Sequence, residues 1–268
     1  MSGELSPVFI FSSAGRTGST LLQRLLISTH EIMIWGEHDG AMVAASSQLL
    51  RRLRAWRELT GGPHQQEAFA RHGHDAWIPN LTPPIEAFID GLRALFTESM
   101  GAEARRLGYP RWGFKEIRHD GNDALLLKTL FPDARFIYSV RHPADALRSL
   151  KSTGWYGLHC GSDPVRFASI WTTSVQSLLQ SAPRLGQVLI VRYEDMVADP
   201  QVVVDAMATH VGIAPERFDL AAFGRRHRGS SNPPDALSSA DRQALAAPEL
   251  VRTAQLLGYG VTEDTQAG

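Results

Sequence analysis

Short apolar runs rich in β-branched and aromatic residues recur along the chain, separated by longer stretches with apolar residues at helical spacing. Residues 7–13 (PVFIFSS), 111–117 (RWGFKEI), 134–140 (ARFIYSV) and 187–193 (QVLIVRY) read as strands. None alternates strictly between polar and apolar, which suits strands covered on both faces of a parallel sheet. Residues 18–29 set Leu21, Leu22, Leu25 and Leu26 on one stripe, and residues 84–106 do the same with Phe88, Leu92, Leu95 and Phe96. Both predict helices, as do 120–130, 143–152, 164–181, 201–211 and 240–257. Pro84, Pro143 and Pro164 stand where a first helical turn accepts proline. The alternation predicts an α/β fold of three layers, a mostly parallel central sheet with helices on both faces. Residues 39–110 carry no strand pattern and predict a mainly helical insertion that faces the substrate. Residues 230–234 (SSNPP) read as a loop, and nothing reads as an interdomain linker, so one domain over residues 1–268 is expected.

Composition narrows the picture. Hydrophobic residues at 43% and charged residues at 21% fit a folded chain with a full core and not a disordered one. Lys+Arg 27 against Asp+Glu 28 leaves a formal charge of −1, which excludes a protein built to coat nucleic acid. The single cysteine, Cys160, excludes an internal disulfide and a cysteine-rich zinc site. No apolar window approaches the ~18 residues of a membrane span, so no stable membrane insertion is expected. The opening segment has no basic residue before its short apolar run, which predicts no secretory signal and a cytoplasmic location. His64, His72 and His74 have no acidic or cysteine partner at metal spacing and are expected to be exposed or satisfied. The basic piece 51–57 (RRLRAWR) reads as a solvated helix face.

Chemistry concentrates in two places. In FIFSSAGRTGSTLL a strand runs into a loop of small residues and then a helix. Such a loop, together with a helix N-terminus, forms an anion site, and phosphate is the usual anion. The arrangement is P-loop-like, yet Gly18 is followed by Ser19 where a Walker loop needs lysine, and Ser13 stands where it needs glycine. The cation offered is Arg16. In FIYSVRHPADALRSLKS a strand ends at Arg141, and Ser149 follows eight positions on in a helix opened by Pro143. A guanidinium fork and a hydroxyl two turns later can grip one anion. The carboxyl ends of parallel strands are where open α/β sheets bind ligands.

Together these stretches resemble the sulfotransferases that use 3′-phosphoadenosine 5′-phosphosulfate (PAPS). SSAGRTGSTLL is similar to the family's 5′-phosphosulfate loop and RHPADALRSLKS to its 3′-phosphate motif. WGFKEIR (112–118), VRYEDMVADP (191–200) and LLGYG (256–260) follow in the family's order. The resemblance implies that Arg16 binds the 5′-phosphate and the sulfuryl group, with Thr17, Gly18, Ser19 and Thr20 cradling that end. It implies Arg141 and Ser149 at the 3′-phosphate and Tyr193 near the adenine. Arg228 and Gly229, in GRRHRGSSN, stand in for an Arg-Lys-Gly element of the cytosolic branch, without its lysine. The histidine base of that branch is absent, since Lys115-Glu116-Ile117 occupies its motif.

IWGEHDG (34–40) resembles the tyrosylprotein and heparan-type branches, in which a glutamate after the first helix takes the acceptor proton. That implies Glu37 as base, with His38 and Glu116 as competitors. The implied chemistry is in-line sulfuryl transfer to a hydroxyl-bearing acceptor. Arg16 and loop N–H groups stabilise the leaving 5′-phosphate, Lys115 is near the bridging oxygen, and no metal is required. A P-loop kinase or nucleotide hydrolase is the rival reading, and the missing Walker lysine counts against it. Trp56, Trp77 and Phe88 are candidates for an acceptor pocket. Saccharide, tyrosine, lipid and small metabolite stay open as acceptors, as does oligomeric state.

Overall fold

The computed structural model describes residues 6–224 and 236–260. Its elements run β1 (Val8–Ser12), α1 (Ser19–Ser28), β2 (Ile32–Trp35), α2 (Ala41–Leu59), α3 (Gly62–His72), α4 (Ile85–Phe96), a π-helical turn (Thr97–Gly101), α5 (Ala102–Arg106), β3 (Arg111–Glu116), α6 (Gly121–Leu130), β4 (Arg135–Val140), α7 (Pro143–Ser152), α8 (Tyr156–Cys160), α9 (Pro164–Leu185), β5 (Val188–Arg192), α10 (Tyr193–Ala198), α11 (Pro200–Val211), α12 (Ala221–Gly224), α13 (Ser239–Leu245) and α14 (Pro248–Leu256). The five strands form one sheet in the order β2-β3-β1-β4-β5. Every pairing in it is parallel.

The period of two along each strand sorts the core into two layers. Phe9, Phe11, Trp112, Phe114, Phe136 and Tyr138 point to one face and pack with α6, α7, α9 and the C-terminal helices. Val8, Ile10, Ile32, Ile34, Ile137 and Val191 point to the other and meet the leucines of α1 and the valines of α11. The aromatic layer is close-packed, with Phe9 and Phe114 centroids 4.7 Å apart. This is the expected three-layer α/β architecture. At Gly113 β-carbon space is absent: a Cβ there would sit 1.7 Å from the Val8 carbonyl oxygen.

The insertion is helical, as its pattern predicts. Val43, Leu50, Leu92, Phe96 and Met100 join the aromatic layer, so α2 and α4 cover one end of that face. The run 84–106 is one helical course carrying a π turn where Gly101 lies over Trp112; Pro84 is the N-cap residue, just before the first turn. Arg57 departs from the expected solvated face. It is buried and donates to the Thr82 and Pro83 carbonyl oxygens, clasping that segment to α2. Two further boundaries differ. The helix expected over 240–257 breaks in two because Pro248 opens a new one. The strand β2, too short to show a period, exists through its pairing with β3. Among the described residues no helix is long and apolar enough to cross a membrane.

Candidate active site

The order of the sheet places β3 and β4 on either side of β1, so the crossover from β3 to β4 makes a switch point there. Such a point opens a crevice at the strands' carboxyl ends. The β1–α1 loop enters it. Gly18 has φ 90° and is the N-cap of α1, with no side chain capping the helix. Asp120, Asp163, Asp199 and Ser238 cap α6, α9, α11 and α13, whereas α2, α3, α4, α7 and α14 begin, like α1, without a side-chain cap. The Leu21 N–H bonds to the Gly18 carbonyl oxygen at 2.8 Å, which leaves the Ser19 and Thr20 N–H groups at the helix start for another acceptor. The Ser13 and Thr17 hydroxyls are buried without a hydrogen-bond partner in the same loop. Buried hydroxyls normally find a partner, so the loop is shaped to receive acceptor atoms from outside. Ser19 is buried at the start of α1 and Thr20 is exposed.

The two motifs meet here. Arg16 Nε donates to Ser149 Oγ at 3.2 Å, and Arg141 Nη1 donates to the Arg16 carbonyl oxygen at 3.2 Å. The Arg141 guanidinium lies 4.2 Å above the Tyr193 ring. Tyr193 and Met196 leave no room for a Cβ at Gly18. Burial, and then the neighbouring charge of Arg141, lower the Arg16 pKa from its ordinary value. Two guanidinium groups drawn together out of water call for an anion between them. Their backbone supports are fixed: Ser139 Oγ holds the Thr17 carbonyl at 2.6 Å and Trp171 Nε1 holds that of Arg141 at 3.1 Å. Glu194 receives the His142 N–H and the Tyr259 hydroxyl, both at 2.9 Å. VRYED and LLGYG are joined by that carboxylate, which anchors the turn after Arg141.

A second cluster lies where β2 and β3 end. Lys115 Nζ pairs with Glu37 Oε1, and Arg118 Nη1 lies 3.5 Å from Glu37 Oε2. The Glu37 side chain is 28% exposed, with Oε1 held by Lys115 and Oε2 facing Arg118. Glu116 is fully buried and spent: Oε2 receives the Gly40 N–H at 2.7 Å and Oε1 receives Arg118 Nη1 at 2.8 Å. It sets the turn that carries Glu37. His38 packs edge-on against Phe114, its ring nitrogens buried and without a partner, and burial lowers its pKa. Of the three candidate bases, Glu37 has a partly exposed side chain, Glu116 is fully buried, and the His38 ring nitrogens are buried.

His159 is the residue that sequence motifs do not reveal. Its imidazole lies over Gly15 of the loop, with Nε2 2.9 Å from where a Cβ would stand. Burial lowers its pKa; Glu37 acts the opposite way, and Arg118, Arg16 and Lys115 lower it further. The chain signals it only by α8 being framed by Gly154 and Gly161, both with positive φ. Of the other candidates, Trp56 and Trp77 are exposed and Phe88 packs against the core. His64, His72 and His74 are exposed. Among the described residues no group of His, Cys, Asp or Glu is arranged to hold a metal ion. Arg228 and Gly229, and the loop 230–234, lie outside the described residues.

A family model described as "Sulfotransferase family" matches residues 7–217. The fold is similar to the sulfotransferase domain of the Synechococcus PCC 7002 olefin synthase, 20% identical over 98% of either chain with a TM-score of 0.54. It is similar to the sulfotransferase domain of the curacin biosynthetic pathway, 18% identical over 97% of this chain and 100% of that one, TM-score 0.57. A sulfotransferase of Alicyclobacillus acidocaldarius is 16% identical over 96% and 97%, TM-score 0.50. At such identities the likeness is one of fold. No curated protein sequence matches significantly.

Proposed function

The chain belongs to the sulfotransferase family, and from that premise we propose that it is a single-domain enzyme moving a sulfuryl group from PAPS to an acceptor hydroxyl. The observation that carries the donor is the Arg16–Arg141–Ser149 cluster beside an uncapped helix and two unpartnered buried hydroxyls. A ligand with phosphate at both ends satisfies all of these at once. In this reading Arg16, Thr17, Gly18, Ser19 and Thr20 receive the 5′-phosphosulfate, Arg141 and Ser149 the 3′-phosphate, and Tyr193 borders the adenine. Arg228 and Gly229 complete the 3′ end.

PAPS supplies an activated sulfuryl group whose bond to the 5′-phosphate breaks as the acceptor oxygen bonds to sulfur. The electron pair stays on the phosphate oxygen, and Arg16 with the loop N–H groups stabilises that charge without reorganising. The acceptor proton goes to Glu37, which must first loosen its pair with Lys115. The incoming donor carries several negative charges and offers Lys115 the bridging oxygen in exchange. The helical insertion at residues 39–110 borders the acceptor.

Formation of 3′-phosphoadenosine 5′-phosphate (PAP) from PAPS, followed by chromatography with saccharide, tyrosine-peptide, lipid and small-alcohol acceptors, tests the reading. Acceptor-dependent PAP formation that is lost in Arg16→Ala supports it. Cleavage of Mg–ATP, with PAPS left intact by every acceptor, contradicts it and favours a kinase or hydrolase.

A further inference from the structure

The β1–α1 loop is moulded around an imidazole. Gly15 lacks a side chain where His159 Nε2 would lie 2.9 Å from a Cβ, with Cε1 at 3.1 Å and Cδ2 at 3.3 Å. His159 therefore covers the residue just before Arg16, at the edge of the stretch that, in the reading above, receives the 5′-phosphosulfate. It is carried by α8, whose last residue, Cys160, is buried in the aromatic core layer, with its Sγ donating to the Tyr156 carbonyl oxygen of the same helix. Lys151 faces the Tyr156 ring from α7 and is itself paired with Asp241. The segment turns sharply on either side of α8, with Gly154, Gly161 and Ser162 all at positive φ.

The charged groups that act on His159 come from three neighbouring segments. They are Arg16 from the β1–α1 loop, Glu37 from the end of β2, and Lys115 and Arg118 from the end of β3. Three of these four are cations. Burial, the largest effect, and these cations lower the imidazole's pKa from its ordinary value in the free protein, while Glu37 acts the other way. A polyanion seated among them reverses the balance, because its charge cancels the cations and faces the ring directly.

Resting on the sulfotransferase reading, we propose that His159 is a further donor-binding residue, which takes up a proton when the donor binds and closes over the 5′-phosphosulfate as an imidazolium. The proton comes from solvent and no covalent bond changes. Protonated, Nε2 donates to an oxygen of the donor and adds a positive charge beside the leaving phosphate. Glu37 keeps its separate task of receiving the acceptor proton. Donor affinity then depends on pH through one residue, rising as pH falls through the histidine range.

Titration calorimetry of PAP into the full chain, in two buffers of different ionisation enthalpy, measures protons taken up on binding. His159→Gln keeps a hydrogen-bonding side chain that cannot charge. The PAP phosphates titrate equally with both proteins, so the difference between the two isolates His159. Wild type is expected to take up more protons per PAP than His159→Gln near neutral pH. It is also expected to lose about tenfold more affinity between pH 6 and 8, the equivalent of one unit of linked pKa shift. Equal uptake and parallel pH profiles overturn the inference while leaving PAP as the donor product. Absence of PAP binding by both proteins overturns the donor reading and the inference together. Should His159→Gln fail to fold, the His159 ring signals of wild type, titrated by NMR with and without PAP, decide the matter. A pKa unmoved by PAP overturns it.

Discussion

Arg141 reaches the Arg16 carbonyl oxygen, and burial, then the Arg141 charge, lower the Arg16 pKa; the proposed donor would bring the anion that relieves this. Removing either guanidinium takes away charge-assisted hydrogen bonds of roughly 1.5–3 kcal/mol. Arg16→Ala and Arg141→Ala are each expected to weaken PAP about 10- to 150-fold by calorimetry, with the unfolding midpoint little changed. The role proposed for Glu37 is separate: with Glu37 as base, Glu37→Gln should lower turnover by about 10²-fold or more and leave PAP affinity nearly intact. Wild-type turnover in that variant would remove Glu37 as the base. The two arginines and Ser149 were legible because loop and strand-end motifs carry them at fixed spacing. The surroundings of Glu37, His38 and Glu116 were not, because they depend on distant partners, such as the Gly40 N–H that takes up Glu116 and the Lys115 ammonium that pairs with Glu37. His159 is hidden for the same reason, since its meaning comes from contact with Gly15, far away in sequence.

Strands β1, β3, β4 and β5 announce themselves by composition, whereas β2 has four residues and becomes a strand by pairing with β3. Helix ends are set by particular residues that periodicity overlooks: Pro248 divides the last helix, and α9 extends to Leu185 with Pro183 tolerated in its final turn. The sheet's tightest point is Gly113. A methyl group there meets the Val8 carbonyl oxygen at 1.7 Å, a backbone atom that can yield only if β1 and β3 part. Gly113→Ala is therefore expected to cost at least about 3 kcal/mol in urea unfolding or to prevent folding. A loss below 1 kcal/mol would mean that the β1–β3 register differs from the one described. Because the loop after β1 and Lys115 at the end of β3 depend on that register, donor binding should fail together with folding.

The molecule as a whole is nearly neutral, with a formal charge of −1, yet it gathers Arg16, Lys115, Arg118 and Arg141 at one end of its sheet. It also half-buries three histidines. Burial lowers the pKa values of His38, His159 and His210 from the ordinary 6.5. The unfolded chain then binds protons that the folded one refuses, so the stability these groups provide above 6.5 is lost as pH falls below it toward their folded values. The urea midpoint of the free protein is expected to drop between about pH 7.5 and 5.5, and a flat profile would contradict the burial of these rings. The most direct test of the account is thermal unfolding of the full chain with PAP, with ATP plus Mg²⁺, and with neither. PAP at about 100 times its dissociation constant should add roughly 2.7 kcal/mol of stability without any added metal, and ATP much less. A shift with Mg–ATP and none with PAP would contradict the assignment of PAPS as the donor.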